Sequence, residues 1–124
     1  TKDPAATKSW YAKHLGFDTD QWGAAFTFRK NEDPDKKGYL QWSPFKEDTD
    51  YFQPSEKEFM INYRVENLEE LVKLLREVGV TICDEIASYD YGKFVHIMDT
   101  DGNKIELWEP IDEIFDQLYQ KTEE

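Results

Sequence analysis

One short pattern occurs twice in this chain. His14-Leu15-Gly16-Phe17 closes one helical stretch and Glu77-Val78-Gly79-Val80 closes another, with the two glycines 63 residues apart. Tyr39-Leu40-Gln41-Trp42 and Lys104-Ile105-Glu106-Leu107 repeat at a spacing of 65 between Gln41 and Glu106. Each match is weak alone, but two landmarks at nearly one offset point to duplication of a helix-then-three-strands unit. The second copy carries a further strand, Phe59 to Val65, ahead of its helix, whereas the first has almost nothing ahead of Asp3. The equivalent first strand is therefore expected to be missing from this chain or to lie upstream of Thr1. A length of 124 residues suits one core. We therefore expect a single α+β domain, with module one over about residues 1–57, module two over about 58–110 and a closing helix over about 111–120.

Local signals place the elements. Asp3 can cap free N–H groups and Pro4 sits where no hydrogen bond is lost, so helix one is expected to run to about Leu15, with Gly16 as its left-handed stop. Trp10, Tyr11 and Leu15 read as a core-facing stripe, and His14 as a solvated residue of the last turn. Strands are expected over Ala24–Arg29 and Gly38–Ser43, followed by a long loop, Pro44–Ser55, that holds Phe45, Tyr51 and Phe52. Those aromatics either close over a hydrophobic ligand or staple the loop to the sheet. Asn67 with Glu70 resembles a capping box, and Leu68, Leu71, Val72, Leu75 and Val78 keep helical spacing up to Gly79. A strand over Val80–Ile86 should follow, then a hairpin of Lys93–Met98 and Asn103–Trp108 across Asp99-Thr100-Asp101-Gly102-Asn103. Ile111–Tyr119 reads as a short amphipathic helix docking through Ile114, Phe115 and Leu118.

Charge removes several classes of function. With 15 basic against 27 acidic residues the net charge is -12, which opposes nucleic acid and anionic membranes alike. No apolar run approaches the ~20 residues of a membrane span, and no signal segment opens the chain. A lone cysteine, Cys83, fits a reducing, cytoplasmic setting and reads as a small buried hydrophobe. The expected partner is a small molecule.

The alternation of strand faces locates a candidate site. In the last hairpin Val95, Ile97, Ile105 and Leu107 fall on one side and should meet the helices. Phe94, His96, Met98, Lys104, Glu106 and Trp108 fall on the other, mixing aromatic and polar groups as a pocket wall does. If Met98 pairs with Lys104, His96 stands opposite Glu106. The same parity sends Ile61, Tyr63 and Val65 to the core and Met60, Asn62 and Arg64 to the pocket, where Gln41 joins by its repeat equivalence with Glu106. A His beside a carboxylate can act as base and orienting partner, can ligate a divalent ion, or can be a plain cross-strand pair. Arg64 is the natural anion-holding group, unless one of the many acids holds it. No nucleophile elbow, phosphate-binding glycine loop or metal-type cysteine pattern is present.

Trp10-Tyr11-Ala12-Lys13-His14-Leu15-Gly16-Phe17 and Asp99-Thr100-Asp101-Gly102-Asn103-Lys104-Ile105-Glu106-Leu107 resemble the helix-one signature and the closing turn-and-strand of the vicinal oxygen chelate superfamily, the glyoxalase, bleomycin-resistance and dioxygenase proteins. The resemblance implies two βαβββ modules whose mixed sheets curl into a cleft, usually in a homodimer. In metal-using members the ion is held by a first-strand and a last-strand residue of each module. Carried onto this chain, the last-strand positions are Glu106 and Gln41, and the first-strand position of module two is Met60, a poor ligand for a hard ion. Two readings follow. In one, zinc, nickel, manganese or iron is held by Glu106, His96 and Gln41, with Glu106 and His96 as the catalytic groups of a lyase, isomerase or dioxygenase-like enzyme. In the other, a metal-free binding protein sequesters a partly aromatic or anionic molecule among Gln41, Phe45, Asn62, Arg64 and Trp108. A third, weaker reading is an interaction module whose acidic surface meets a basic partner.

Overall fold

The computed structural model describes residues 1–114 and is α+β, falling into two compact units, Thr1–Thr49 and Asp50–Glu124. In the first, α1 (Pro4–Leu15) is followed by β1 (Thr19–Asp20), β2 (Gly23–Arg29) and β3 (Lys37–Trp42), which form an antiparallel sheet in that order. Asp3 caps α1 by accepting from the Ala6 N–H at 3.1 Å, and Gly16 stops it at φ +73°. Tyr11 sets its ring on Phe17 and Trp42, at centroid distances of 5.1 and 4.6 Å.

The expected core stripe on α1 is not formed. Trp10 and Leu15 are 53 % and 58 % exposed, and α1 buries none of its residues. A three-stranded sheet is narrow, and of these three side chains only Tyr11 packs its ring on it. The backbone of Thr1 donates to Phe45 O and accepts from Glu47 N, both at 2.7 Å, beyond the end of β3. In the second unit the N–H of Val65 meets Trp108 O at 2.8 Å in the corresponding place.

The second unit is a complete βαβββ module: β4 (Ile61–Arg64), α2 (Leu68–Glu77), β5 (Ala87–Tyr89), β6 (Gly92–Met98) and β7 (Lys104–Pro110). Its sheet runs β4-β7-β6-β5, with β4 parallel to β7 and the other pairs antiparallel. β6 pairs with β7 in the expected register, Met98 with Lys104 and His96 with Glu106. The turn between them is tied by Asp99, whose carboxylate accepts from the N–H groups of Asp101 and Asn103 and from the Asn103 amide. Leu68 and Val72 of α2 bury against Val95, Ile105 and Leu107, with Ile61, Val65, Leu71, Leu75, Ile82, Ile86 and Ile97 packed around them. That cluster fills one face of the sheet and leaves Phe94, His96, Glu106 and Trp108 on the other.

Three local expectations need correction, and a fourth lies mostly outside the described residues. Asn67 makes no side-chain cap; it lies at φ +50°, and the Leu68 N–H is instead met by Glu109 Oε1 of β7 at 3.1 Å. The strand expected over 80–86 reduces to a bridge between Ile82 and Ile97, with the strand itself at 87–89. The cause is Asp84, whose Oδ1 takes the His96 N–H at 2.8 Å. A continuing ladder would have given that donor to a backbone carbonyl. Tyr63 and Val78, assigned to the core by periodicity, are 53 % and 76 % exposed, because β4 is an edge strand and Val78 lies past the end of α2. Of the closing helix, 112–114 are helical, while Phe115 and Leu118 lie outside the described residues.

Candidate functional site

The polar face of the second unit gathers three side chains around the Glu106 carboxylate, with a fourth, Asp84, behind one of them. β6 presents His96, β7 presents Glu106 and β4 presents Asn62; the parallel pairing of Asn62 with Glu106 and the antiparallel pairing of His96 with Glu106 bring all three abreast. Glu106 Oε1 accepts from the Asn62 amide at 2.6 Å. Glu106 Oε2 lies 2.7 Å from His96 Nε2 and accepts the Tyr51 hydroxyl at 2.8 Å. His96 Nδ1 lies 2.6 Å from Asp84 Oδ2, so the imidazole is clamped between two carboxylates. The His96 and Glu106 side chains are only 9 % and 12 % exposed, against 44 % for Asp84.

Electrostatics follow from the clamp. Burial pulls His96 down, but the hydrogen bonds and charges of Glu106 and Asp84 outweigh it, and the imidazole holds its proton above its ordinary value. Burial pushes Glu106 up, and the bonds from His96, Tyr51 and Asn62 outweigh that, so its carboxyl is held below the usual range. For Tyr51 burial and the Glu106 carboxylate act together and push the phenol well up, keeping it a neutral donor. The resulting site is a hydrogen-bonded network of one imidazole between two carboxylates in which each side-chain polar atom of His96 and Glu106 has a partner.

The other anticipated residues are placed as follows. Arg64 Nη2 holds both oxygens of Asp112 at 2.9 and 2.8 Å, and its guanidinium lies over Trp108, 5.3 Å from the ring centroid. Trp108 is 4 % exposed and stacks on Phe94 at 5.8 Å and 6°. Gln41 and Phe45 belong to the first unit, where the Gln41 amide donates to Trp42 O at 3.4 Å and Ser43 Oγ at 3.3 Å. Cys83 is half-buried, and burial raises its thiol, in line with an inert role.

Whether a divalent ion fits can be judged from the donors. A ligating imidazole must turn a lone pair toward the metal and a carboxylate must keep one free. Both nitrogens of His96 face carboxylates and both oxygens of Glu106 accept hydrogen bonds. Among the described residues, no group of three or more His, Cys, Asp or Glu side chains is arranged to hold a metal. The donor set as folded does not fit a metal.

Two residues of the network were not assigned to the site by the sequence. Tyr51 comes from the loop before β4, 55 residues from Glu106, and pattern alone left it between ligand contact and packing. Asp84 sits in the stretch read as a strand, and the break in the apolar run at Asp84-Glu85 was the signal that the ladder ends there.

Comparison with known proteins bears on the family. Among curated proteins no sequence matches the chain. A Legionella pneumophila structure described as an NAD-dependent benzaldehyde dehydrogenase is 13% identical over 89% of this chain and 93% of its own, with a TM-score of 0.53, a likeness of fold. TnmS3, an antibiotic binding protein from Streptomyces sp. CB03234, is 20% identical over 87% of each chain with a TM-score of 0.39. A Sphaerobacter thermophilus member of the glyoxalase/bleomycin resistance protein/dioxygenase superfamily is 19% identical over 88% of this chain and 90% of its own, with a TM-score of 0.37. The family model of that superfamily matches residues 1–107, and the chain belongs to the Glyoxalase/Bleomycin resistance protein/Dioxygenase superfamily.

Proposed function

We propose that this chain is a metal-free binding protein that holds a small, partly aromatic or anionic molecule on the polar face of its second module. The observation that carries this reading is that both nitrogens of His96 are engaged by Glu106 and Asp84, while Asn62 and Tyr51 donate to the two oxygens of Glu106. A site built for an ion turns an imidazole lone pair toward it; here both nitrogens of His96 face carboxylates, and three of the roughly four lone-pair sites of Glu106 already accept hydrogen bonds. The exposed edge of the network, Asn62 and Tyr51, offers polar groups beside the aromatic surface of Tyr89, Tyr91 and Phe94. Arg64 and Trp108 support that surface from below, and an anionic ligand group would compete with Asp112 for the guanidinium. By the repeat, Gln41 and Phe45 would serve the corresponding face of the first unit.

A second reading has one observation in its favour. Asp84 orients His96 as a carboxylate orients a catalytic imidazole, and a protonated His96 is suited to give a proton to a bound oxygen. In that enzyme His96 would protonate an oxygen of the bound molecule while Glu106 takes a proton from another position of the same molecule, and transfer of that proton from Glu106 to His96 across their 2.7 Å contact restores both groups. Small-molecule ligands that bind equally well with and without chelator support the metal-free reading; ligands that bind only when zinc, nickel, manganese or iron is added would sink it. Turnover that survives in a folded His96→Asn variant would remove the enzymatic reading. A cytoplasmic homodimer remains part of the proposal, and sedimentation velocity tests the dimer. No helix among the described residues is long and apolar enough to cross a membrane.

A further inference from the structure

Tyr51 is held as a bound ligand is held. Its hydroxyl donates to Glu106 Oε2 at 2.8 Å and lies 3.3 Å from His96 Nε2. The imidazole meets its ring at 5.4 Å and 88°, and the Lys104 ammonium stands 5.1 Å from the ring centroid. A carboxylate for the O–H, an edge-on ring and a cation over the π face are three separate contacts to a phenol. His96, Lys104 and Glu106 all come from β6 and β7, where the ladder fixes their positions.

The occupant is built differently from the receptor. Tyr51 sits in the segment 50–57, which forms neither helix nor strand and is held by its own turns, Gln53 N to Asp50 O at 3.1 Å and Ser55 N to Phe52 O at 2.9 Å. Lys104 Nζ ties it to the sheet through Tyr51 O. Tyr51 as a residue is 40 % exposed, so its place lies at the surface and not inside the apolar core. Beside it, Tyr89 and Tyr91 stack at 5.3 Å and 4°, both partly exposed, and extend the aromatic surface beyond one ring.

We propose that Tyr51 is a built-in occupant of the binding site, and that the ligand is a hydroxyaromatic molecule whose ring and hydroxyl replace those of Tyr51. The proposal rests on the reading of this face as the binding face and deepens it by naming the ligand class. When the 50–57 strap withdraws, Glu106 Oε2 loses an acceptor bond in a largely buried place. A phenol restores that bond and a plain hydrocarbon ring cannot. Since a bond to a buried charged group is typically worth about 1.5–3 kcal/mol, the hydroxyl should be worth about tenfold or more in affinity.

The test uses p-cresol, the side chain of tyrosine as a free molecule, with toluene as its hydroxyl-free control. In Tyr51→Gly, p-cresol should bind about tenfold or more tightly than in the unaltered protein, and toluene should bind the variant about tenfold or more weakly than p-cresol. Equal binding of the two probes by the variant, or no binding of p-cresol, would overturn the proposal. Should Tyr51→Gly fail to fold, the unaltered protein decides. Saturating p-cresol should then speed amide hydrogen exchange across residues 50–57 while toluene leaves it unchanged, and no change with p-cresol refutes displacement. Failure here with other ligands still bound to the face removes only the internal-occupant idea. Binding of p-cresol by a protein that carries stoichiometric metal removes only the metal-free reading.

Discussion

Glu106→Gln is the perturbation whose effect can be worked most fully from the geometry. Glu106 accepts from Asn62, Tyr51 and His96 in a side chain only 12 % exposed. A glutamine can keep its oxygen toward Asn62 or toward His96 and Tyr51, and in either pose its NH2 opposes a donor. At least one charge-assisted bond is lost, each worth about 1.5–3 kcal/mol. Removal of one partner of a buried pair costs more, although Asp84 still neutralises His96 here. We expect a loss of about 2–4 kcal/mol near pH ~6. The pH dependence has a definite sign. His96 is raised, so its contribution is full below the ordinary histidine value of about 6.5 and is lost as pH rises through the folded value. Glu106 is lowered, so its contribution is lost only as pH falls through its own, more acidic, folded value. The gap between the two proteins should therefore narrow as pH rises through the His96 range. Urea unfolding across that range, read at constant m, measures it, and an NMR titration should show the His96 midpoint moving down in the variant. A gap below about 0.5 kcal/mol near pH ~6, or one that widens with pH, would refute the network as described.

Asp84→Asn should act in the same direction but more weakly, by about 1 kcal/mol, because Asp84 is 44 % exposed; its check is a His96 titration shifted less than in Glu106→Gln. Glu109→Ala should destabilise by about 0.5–2 kcal/mol through loss of the Leu68 cap, whereas Asn67→Gly should be nearly neutral at its φ of +50°, both read by urea unfolding. Gly92→Ala should cost upward of about 2 kcal/mol and alter Trp108 fluorescence, since Gly92 lies at φ +146° and a Cβ there would stand 2.6 Å from Glu109 O and 2.7 Å from Trp108 Nε1.

The parts of this molecule that sequence patterns expose are those fixed by local or two-residue periodicity. Parity in β6 and β7 gave the register that sets His96 opposite Glu106 because one slip would have buried polar side chains under α2. Helix α2 was legible for the same reason, through Leu68, Leu71, Val72 and Leu75. Features that depend on distant partners were not. Glu109 caps α2 from 41 residues away, so Asn67 looked like the cap. Asp84 replaces a backbone partner by a side chain, and Tyr51 reaches Glu106 across a loop whose path no periodicity encodes. The α1 stripe failed differently: Trp10 and Leu15 have the spacing of a core face, but the sheet under them has room for Tyr11. In the candidate site, then, the charged pair and Asn62 were readable from strand parity and Tyr51 and Asp84 were not, and the engagement of both His96 nitrogens is what moves the reading from a metal centre to a metal-free binding face.

Metal content tests that central claim most directly. Elemental mass spectrometry on untagged protein, purified without chelator, should find zinc, nickel, manganese and iron together well below one per chain. A near-stoichiometric amount of any one of them, bound to the folded protein, would mean that Glu106 and His96 open their lone pairs to an ion, and would contradict the account.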